Sequence, residues 1–190
     1  ALARLVLRLL AERAAGRPHA LSRGGAAAVL ALAESDGAPR AGSRSLDLGG
    51  GLRAVAEYGT LRFAAGPPPA APPAVALALP GRARFGAWEV VATSGGGGEA
   101  ELDAAALGPQ ATVRAWREGD RMRPAGLGGS RTLADLFTDR KVPRELRRTL
   151  PVLEAGGEIA WVAGVAVAER FAPSGERARV GLSARRAADT

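Results

Sequence analysis

The sequence contains no cysteine, a single histidine, a single methionine and only 4% aromatic residues. Without cysteine, a disulfide framework, a thiolate metal site and a cysteine nucleophile are excluded together. With His19 as the lone imidazole, a zinc cluster would need an all-carboxylate remainder, and no serine has a histidine near it to build a nucleophilic triad. The apolar run from Leu2 to Leu10 is interrupted by Arg4 and Arg8. Nowhere do about 20 apolar residues follow one another, as a membrane-spanning helix requires. No signal-peptide pattern is present, so a soluble, cytoplasmic protein with no membrane partner is expected. Disorder of the whole chain is excluded by a hydrophobic content of 47%, inflated by alanine yet far from a composition unable to bury a core. The 190 residues suffice for one ordinary domain or two small ones. The chain opens on Ala1, already inside a helical pattern, which suggests a piece of a longer protein.

Arginine is abundant. The formal charge is +7, and Lys141 is the one lysine among 26 basic residues. Residues 112–150 carry 10 basic and 5 acidic groups, net +5, whereas 71–111 are net −2 and 151–169 net −3. A basic block between acidic stretches is the footprint expected for a polyanionic partner. The planar guanidinium also suits phosphate better than an ammonium does.

The patterning predicts an α+β chain. Leu2, Leu5, Val6, Leu9 and Leu10 recur at helical spacing, and that helix should end near Gly16-Arg17-Pro18. Ser22 is placed to cap a second, alanine-rich helix. Gly49-Gly50-Gly51 and Tyr58-Gly59 then punctuate short alternating runs, a hairpin pattern. Residues 1–64 are thus expected to form a small helical and β-hairpin domain. The proline-rich stretch Gly66–Pro73 cannot lie within a helix or a central strand, so 65–74 reads as a linker. From 75 to 172 a small mixed α+β domain is expected. Its strands fall at Val75–Leu79, Trp88–Ala92, Thr112–Trp116 and Val165–Ala168, with a flexible turn at Gly95–Gly98. A short helix begins at Ser130 or Thr132, another runs from Pro143 to Leu150, and a hairpin turns at Ala155–Glu158. Residues 173–190 read as a flexible tail.

The chemistry concentrates in Val113–Pro124. A strand ends at Trp116, turns at Glu118-Gly119-Asp120, and leaves with Arg121 and Arg123 at alternate positions, which an extended chain directs to one side. Asp120 can cap the turn or hold an arginine fork in place. After Gly126–Thr132, a second basic cluster follows at Lys141, Arg144, Arg147 and Arg148. Like charges at helical spacing cost stability unless an anion meets them. Arg117, Arg121, Arg123, Lys141, Arg144 and Arg148 are therefore the candidate nucleic-acid contacts, with Asp120 as an orienting residue. No catalytic, cofactor-binding or metal site is recognised, because Asp135 and Asp139 read as solvated helix carboxylates.

Trp116–Pro124, Gly129-Ser130, Leu133–Pro143, Pro151-Val152-Leu153, Gly157–Val162 and Ala168–Phe171 together resemble the C-terminal domain of bacterial tRNA(Ile)-lysidine synthetases. Gly50–Arg53 and Glu57–Leu61 resemble that family's middle domain. The resemblance implies a tRNA-binding portion of an ATP-dependent ligase that attaches lysine to the wobble cytidine of isoleucine tRNA. It also implies ATP and Mg²⁺ as cofactors of the parent enzyme, isoleucine tRNA as partner, and an N-terminal ATP-binding domain on the same chain. A homodimer is left open. The family's Ser-Gly-Gly-x-Asp-Ser pyrophosphate loop is absent from these 190 residues, so this portion alone is expected to be inactive. The alternative is a free-standing, non-catalytic RNA-binding module.

Overall fold

The computed structural model describes residues 2–35, 43–175 and 177–187. The fold is α+β, with helices first and sheets after, and the chain divides into two compact units, Ala1–Pro68 and Pro69–Thr190.

In the first unit, α1 (Leu2–Ala15) and α2 (Arg23–Ser35) accompany an antiparallel sheet of β1 (Arg44–Asp47), β2 (Leu52–Glu57) and β3 (Thr60–Ala65), with β2 in the middle. Ser22 Oγ accepts the Gly25 N–H at 2.9 Å, satisfying a donor that the first helical turn leaves over. Tyr58 and Gly59 both have positive φ, the conformation that matches a two-residue turn to the twist of its strands. The expected apolar face of α1 does not enter the core. Leu2, Leu5, Val6, Leu9 and Leu10 are exposed, and Leu7 and Ala11 are buried instead. Both sets satisfy helical spacing, but the small Ala11 side chain lets β3 approach the helix closely.

The second unit contains two antiparallel sheets. One, in the order β13-β12-β11-β8-β4, comprises β4 (Val75–Ala78), β8 (Gln110–Arg114), β11 (Val152–Ala155), β12 (Glu158–Val162) and β13 (Ala166–Val167). The other, in the order β5-β6-β14-β7, comprises β5 (Gly81–Phe85), β6 (Trp88–Ser94), β7 (Ala100–Asp103) and β14 (Arg179–Arg186). Leu77, Val113, Leu153 and Trp161 of the first share one core with Phe85, Val90, Leu102 and Leu182 of the second. Between these strands lie α3 (Ala104–Leu107), a minimal ladder of β9 (Arg121–Met122) with β10 (Arg131–Thr132), α4 (Leu133–Asp139) and α5 (Arg144–Arg147). Helix α4 buries Leu133, Leu136 and Phe137, the i, i+3, i+4 stripe of an amphipathic helix. Thr132 caps it, its Oγ accepting the Asp135 N–H at 3.1 Å.

The residues expected to form a flexible tail instead supply β14, which pairs with β6 on one side and β7 on the other. Its inward set of Val180, Leu182 and Ala184 is diluted by Gly181, Ser183 and terminal arginines, and the partner strands lie some eighty residues earlier. Gly181 is required there, because a Cβ would fall on the carbonyl oxygen of Gly97. The Gly95–Gly98 turn is correspondingly docked, with Gly97 N–H donating to Glu101 at 3.0 Å. The linker expectation changes too. Ala65 closes β3, the chain divides between Pro68 and Pro69, and Pro72 is half-buried beside the Gly86 turn. The proposed helix from Pro143 to Leu150 is one turn long, Arg144–Arg147. Val165–Ala168 provides the two-residue edge strand β13, which is not the last strand.

Candidate nucleic-acid interface

The site grows from the end of β8. Arg114 is 5% exposed, a position a guanidinium occupies only when its donors are met. Its Nη1 and Nη2 donate to Asp120 Oδ2 and Oδ1 at 2.7 and 3.0 Å, its Nε to Glu154 Oε2 at 2.7 Å, and Nη1 also to the Ala115 carbonyl at 3.0 Å. Burial would lower the Arg114 pKa, but hydrogen bonds and charge from Asp120 and Glu154 outweigh it and raise the value above the ordinary one. Asp120 Oδ2 also accepts the Arg117 N–H at 2.8 Å, so one carboxylate closes the Arg117–Asp120 turn and clamps it to the sheet. Asp120 is bonded to an arginine. That arginine is Arg114, not a member of the exposed cluster.

The chain then leaves the clamp as β9. Met122 is 5% exposed while Arg121 and Arg123 are exposed, the alternation an extended strand produces. Backbone bonds hold this edge from the far side, with Glu169 N–H donating to the Arg123 carbonyl at 2.7 Å and Ala125 N–H to the Val167 carbonyl at 2.9 Å. Arg121, Arg123, Glu158, Glu169 and Arg170 line an open cleft of about 650 Å³.

Its charges are largely matched. Arg123 lies 3.6 Å from Glu169, and Arg170 pairs with Glu158. Arg121 differs, since among the described residues its side chain meets only the Ser130 hydroxyl, at 3.4 Å. Its guanidinium meets no carboxylate among the described residues.

The six predicted contacts separate into two groups. Arg121 and Arg123 share the cleft and Arg117 is exposed on the adjoining turn, whereas Lys141, Arg144 and Arg148 do not line it. Lys141 occupies the left-handed position that ends α4, at φ 54°. There the Lys141 N–H reaches the Thr138 carbonyl at 3.0 Å and the Val142 N–H the Phe137 carbonyl at 2.7 Å, a Schellman closure in which glycine is usual. Arg147 turns inward, its Nε donating to the Val142 carbonyl at 3.0 Å and its guanidinium lying 5.7 Å from the Phe137 ring centroid. Trp116 meets the same ring edge-on at 5.8 Å and packs on the core, as Trp161 does within it. Arg114, Glu158, Glu169 and Arg170 were missed as site residues. For Arg114 the available signal was Asp120 six residues on, a carboxylate at a turn beside a strand.

Among the described residues no group of three or more His, Asp or Glu side chains could hold a metal, and Asp135 is occupied by Thr132 at 2.6 Å. No helix among them is long and apolar enough to cross a membrane.

Two packed sheets and a clamped turn beside an open cleft make up this unit, and its residues 111–184 match the family described as TilS substrate C-terminal domain. A solved structure titled "Crystal structure of TILS C-terminal domain" is covered entirely by 62% of this chain, with a TM-score of 0.50 and 25% identity. The chain is similar along nearly its whole length to tRNA(Ile)-lysidine synthases. It is 37% identical to the tRNA(Ile)-lysidine synthase of Symbiobacterium thermophilum over 204 aligned positions, covering 98% of this chain and 42% of that protein. The enzyme of the same name from Geobacter sulfurreducens is 52% identical over 52 residues, 27% of this chain and 11% of that protein. This chain therefore spans well under half the length of either relative.

Proposed function

We propose that the chain is the tRNA-handling portion of a tRNA(Ile)-lysidine synthetase, the ligase that uses ATP and L-lysine to convert the wobble cytidine of isoleucine tRNA to lysidine. In this reading residues 1–64 form the family's middle domain and residues 75–172, completed by β14, its C-terminal domain. ATP and Mg²⁺ belong to an N-terminal domain of the parent enzyme, working in the cytoplasm. The observation that carries the proposal is Arg121, exposed on a backbone held from both sides and paired with no carboxylate among the described residues. A rigidly mounted guanidinium accepts a phosphate with little loss of freedom.

The test is a salt titration of isoleucine tRNA affinity. Six phosphate contacts at Arg117, Arg121, Arg123, Lys141, Arg144 and Arg148 would give a log K against log salt slope of magnitude roughly 4 to 5. Arg121→Ala should reduce that slope by about 1 and weaken other tRNAs similarly, since phosphate contacts position without reading sequence. An unchanged affinity and slope would remove Arg121 from the interface.

A further inference from the structure

The outward face of the β5-β6-β14-β7 sheet carries a charge pattern that the cleft does not use. Register creates it. Arg84 of β5 and Arg185 of β14 stand directly opposite Glu89 of β6, one on each side, and Arg82 stands opposite Val91, with Ser183 across from it. The alternate positions Phe85, Val90 and Ala184 enter the core, so the three guanidinia leave on the solvent side. Glu89 pairs with Arg82 at 3.5 Å. Among the described residues Arg84 and Arg185 form no hydrogen bond or ion pair. Arg186, opposite Trp88, has the parity of inward Ala184 and is not part of this face; its guanidinium lies 5.5 Å from the Trp88 ring centroid. Toward the other edge, Glu101 of β7 is already held by Arg179 at 2.8 Å.

Edge protection explains only part of this. Strand β5 is an edge strand, and charged side chains there deter pairing with another sheet. Arg185 lies beyond the β7 pairing, which ends at Leu182, so β14 is open on that side there and edge protection extends to Arg185 as well. An excess of like charge across neighbouring strands costs stability unless a counter-charge meets it.

We infer that this sheet face is a second RNA-binding surface that takes phosphates of the backbone. Strands about 4.8 Å apart place Arg84 and Arg185 roughly 10 Å from each other, far enough for each guanidinium to meet a separate phosphate of a nucleic-acid backbone. A lipid surface fits less well, since membrane-binding basic faces also insert apolar side chains, and the one apolar residue in these two rows, Val91, is half-buried. The inference rests on the proposed function only in taking the same tRNA as ligand.

The experiment compares the 190-residue chain with Arg84→Ala/Arg185→Ala and with Arg121→Ala/Arg123→Ala in salt titrations against isoleucine tRNA, with tryptophan-monitored unfolding as the fold control. The sheet variant should bind about 10-fold more weakly at about 0.1 M salt, with the slope reduced by about 2. Arg84→Lys/Arg185→Lys should restore most of both, and Glu89→Gln should tighten binding. Loss in the cleft variant alone overturns the sheet surface and leaves the cleft standing. Loss in the sheet variant alone supports the surface and removes the cleft from the interface. If the alanine pair unfolds, Glu89→Gln carries the test, and unchanged affinity there overturns the inference. A wild-type chain that adsorbs to phosphatidylserine vesicles but not to tRNA also overturns it.

Discussion

Asp120→Ala separates orientation from attraction. The substitution removes two short, charge-assisted bonds to a guanidinium whose side chain is 6% exposed. Bonds of this kind contribute about 1.5–3 kcal/mol each, and breaking a buried pair costs about 3–5 kcal/mol. Two features reduce the loss. Glu154 keeps its own bond to Arg114 at 2.7 Å, and Asp120 itself is 13% exposed, so water can enter. The expected destabilisation is therefore about 3 kcal/mol. Arg114→Met removes the buried charge and should cost less, about 1–2 kcal/mol, and the double variant should fall short of the sum by about 2 kcal/mol. Urea unfolding followed by tryptophan fluorescence isolates the relevant unit, because Trp88, Trp116 and Trp161 all lie beyond Pro68. Asp120→Ala also raises the net charge by one, so attraction alone predicts tighter tRNA binding. A clamp that positions Arg117 and Arg121 predicts weaker binding. A cost below about 1 kcal/mol together with tighter binding would refute the clamp.

Three further outcomes are expected. Lys141→Gly should raise the thermal midpoint, relieving a left-handed lysine by about 1 kcal/mol, while weakening tRNA binding if the ammonium meets phosphate; melting and affinity read the two effects apart. Phe137→Ala should cost about 3–5 kcal/mol in urea unfolding, since the ring fills the core and supports both Trp116 and Arg147. Acid should weaken the second unit through two carboxylates. Glu101 is held below its ordinary value chiefly by the Gly97 N–H and then Arg179, and Asp103 chiefly by the Ala106 N–H, against an opposing effect of burial, with help from Arg177. Both therefore contribute stability that is complete above their unfolded pKa values and is lost as pH falls through the lowered folded ones. Glu101→Gln should flatten the fall in melting temperature between about pH 5 and about pH 3.

What could be read from the chain follows the range of the interactions involved. The caps at Ser22 and Thr132 and the turns at Gly49–Gly51, Tyr58-Gly59 and Gly156-Gly157 depend on neighbours within a few residues, and each falls where the sequence places it. The alternation that exposes Arg121 and Arg123 is equally local. Strand β14 was read as tail because its inward Val180, Leu182 and Ala184 look weak until β6 and β7 flank them. Arg114 is not singled out by the sequence, because its burial needs Asp120 and, forty residues away, Glu154. The apolar stripe of α1 misled for a different reason: two faces satisfy the same spacing, and packing geometry chose the one with the smaller residue.

The central place of β14 sets an order on how the molecule comes into being. Strands β6 and β7 are synthesised some eighty residues before the strand that joins them, and their inner faces share one core with the sheet that supports the clamp. Emerging from the ribosome, the second unit has most of its parts but cannot close until residue 186 is made. Long-range pairing of this kind makes closure late and slow. A product that stops short of β14 would expose the edges of β6 and β7 together with their apolar faces, the condition that leads to aggregation and degradation. In the proposed function, the surface that engages tRNA then matures only on chains translated through β14.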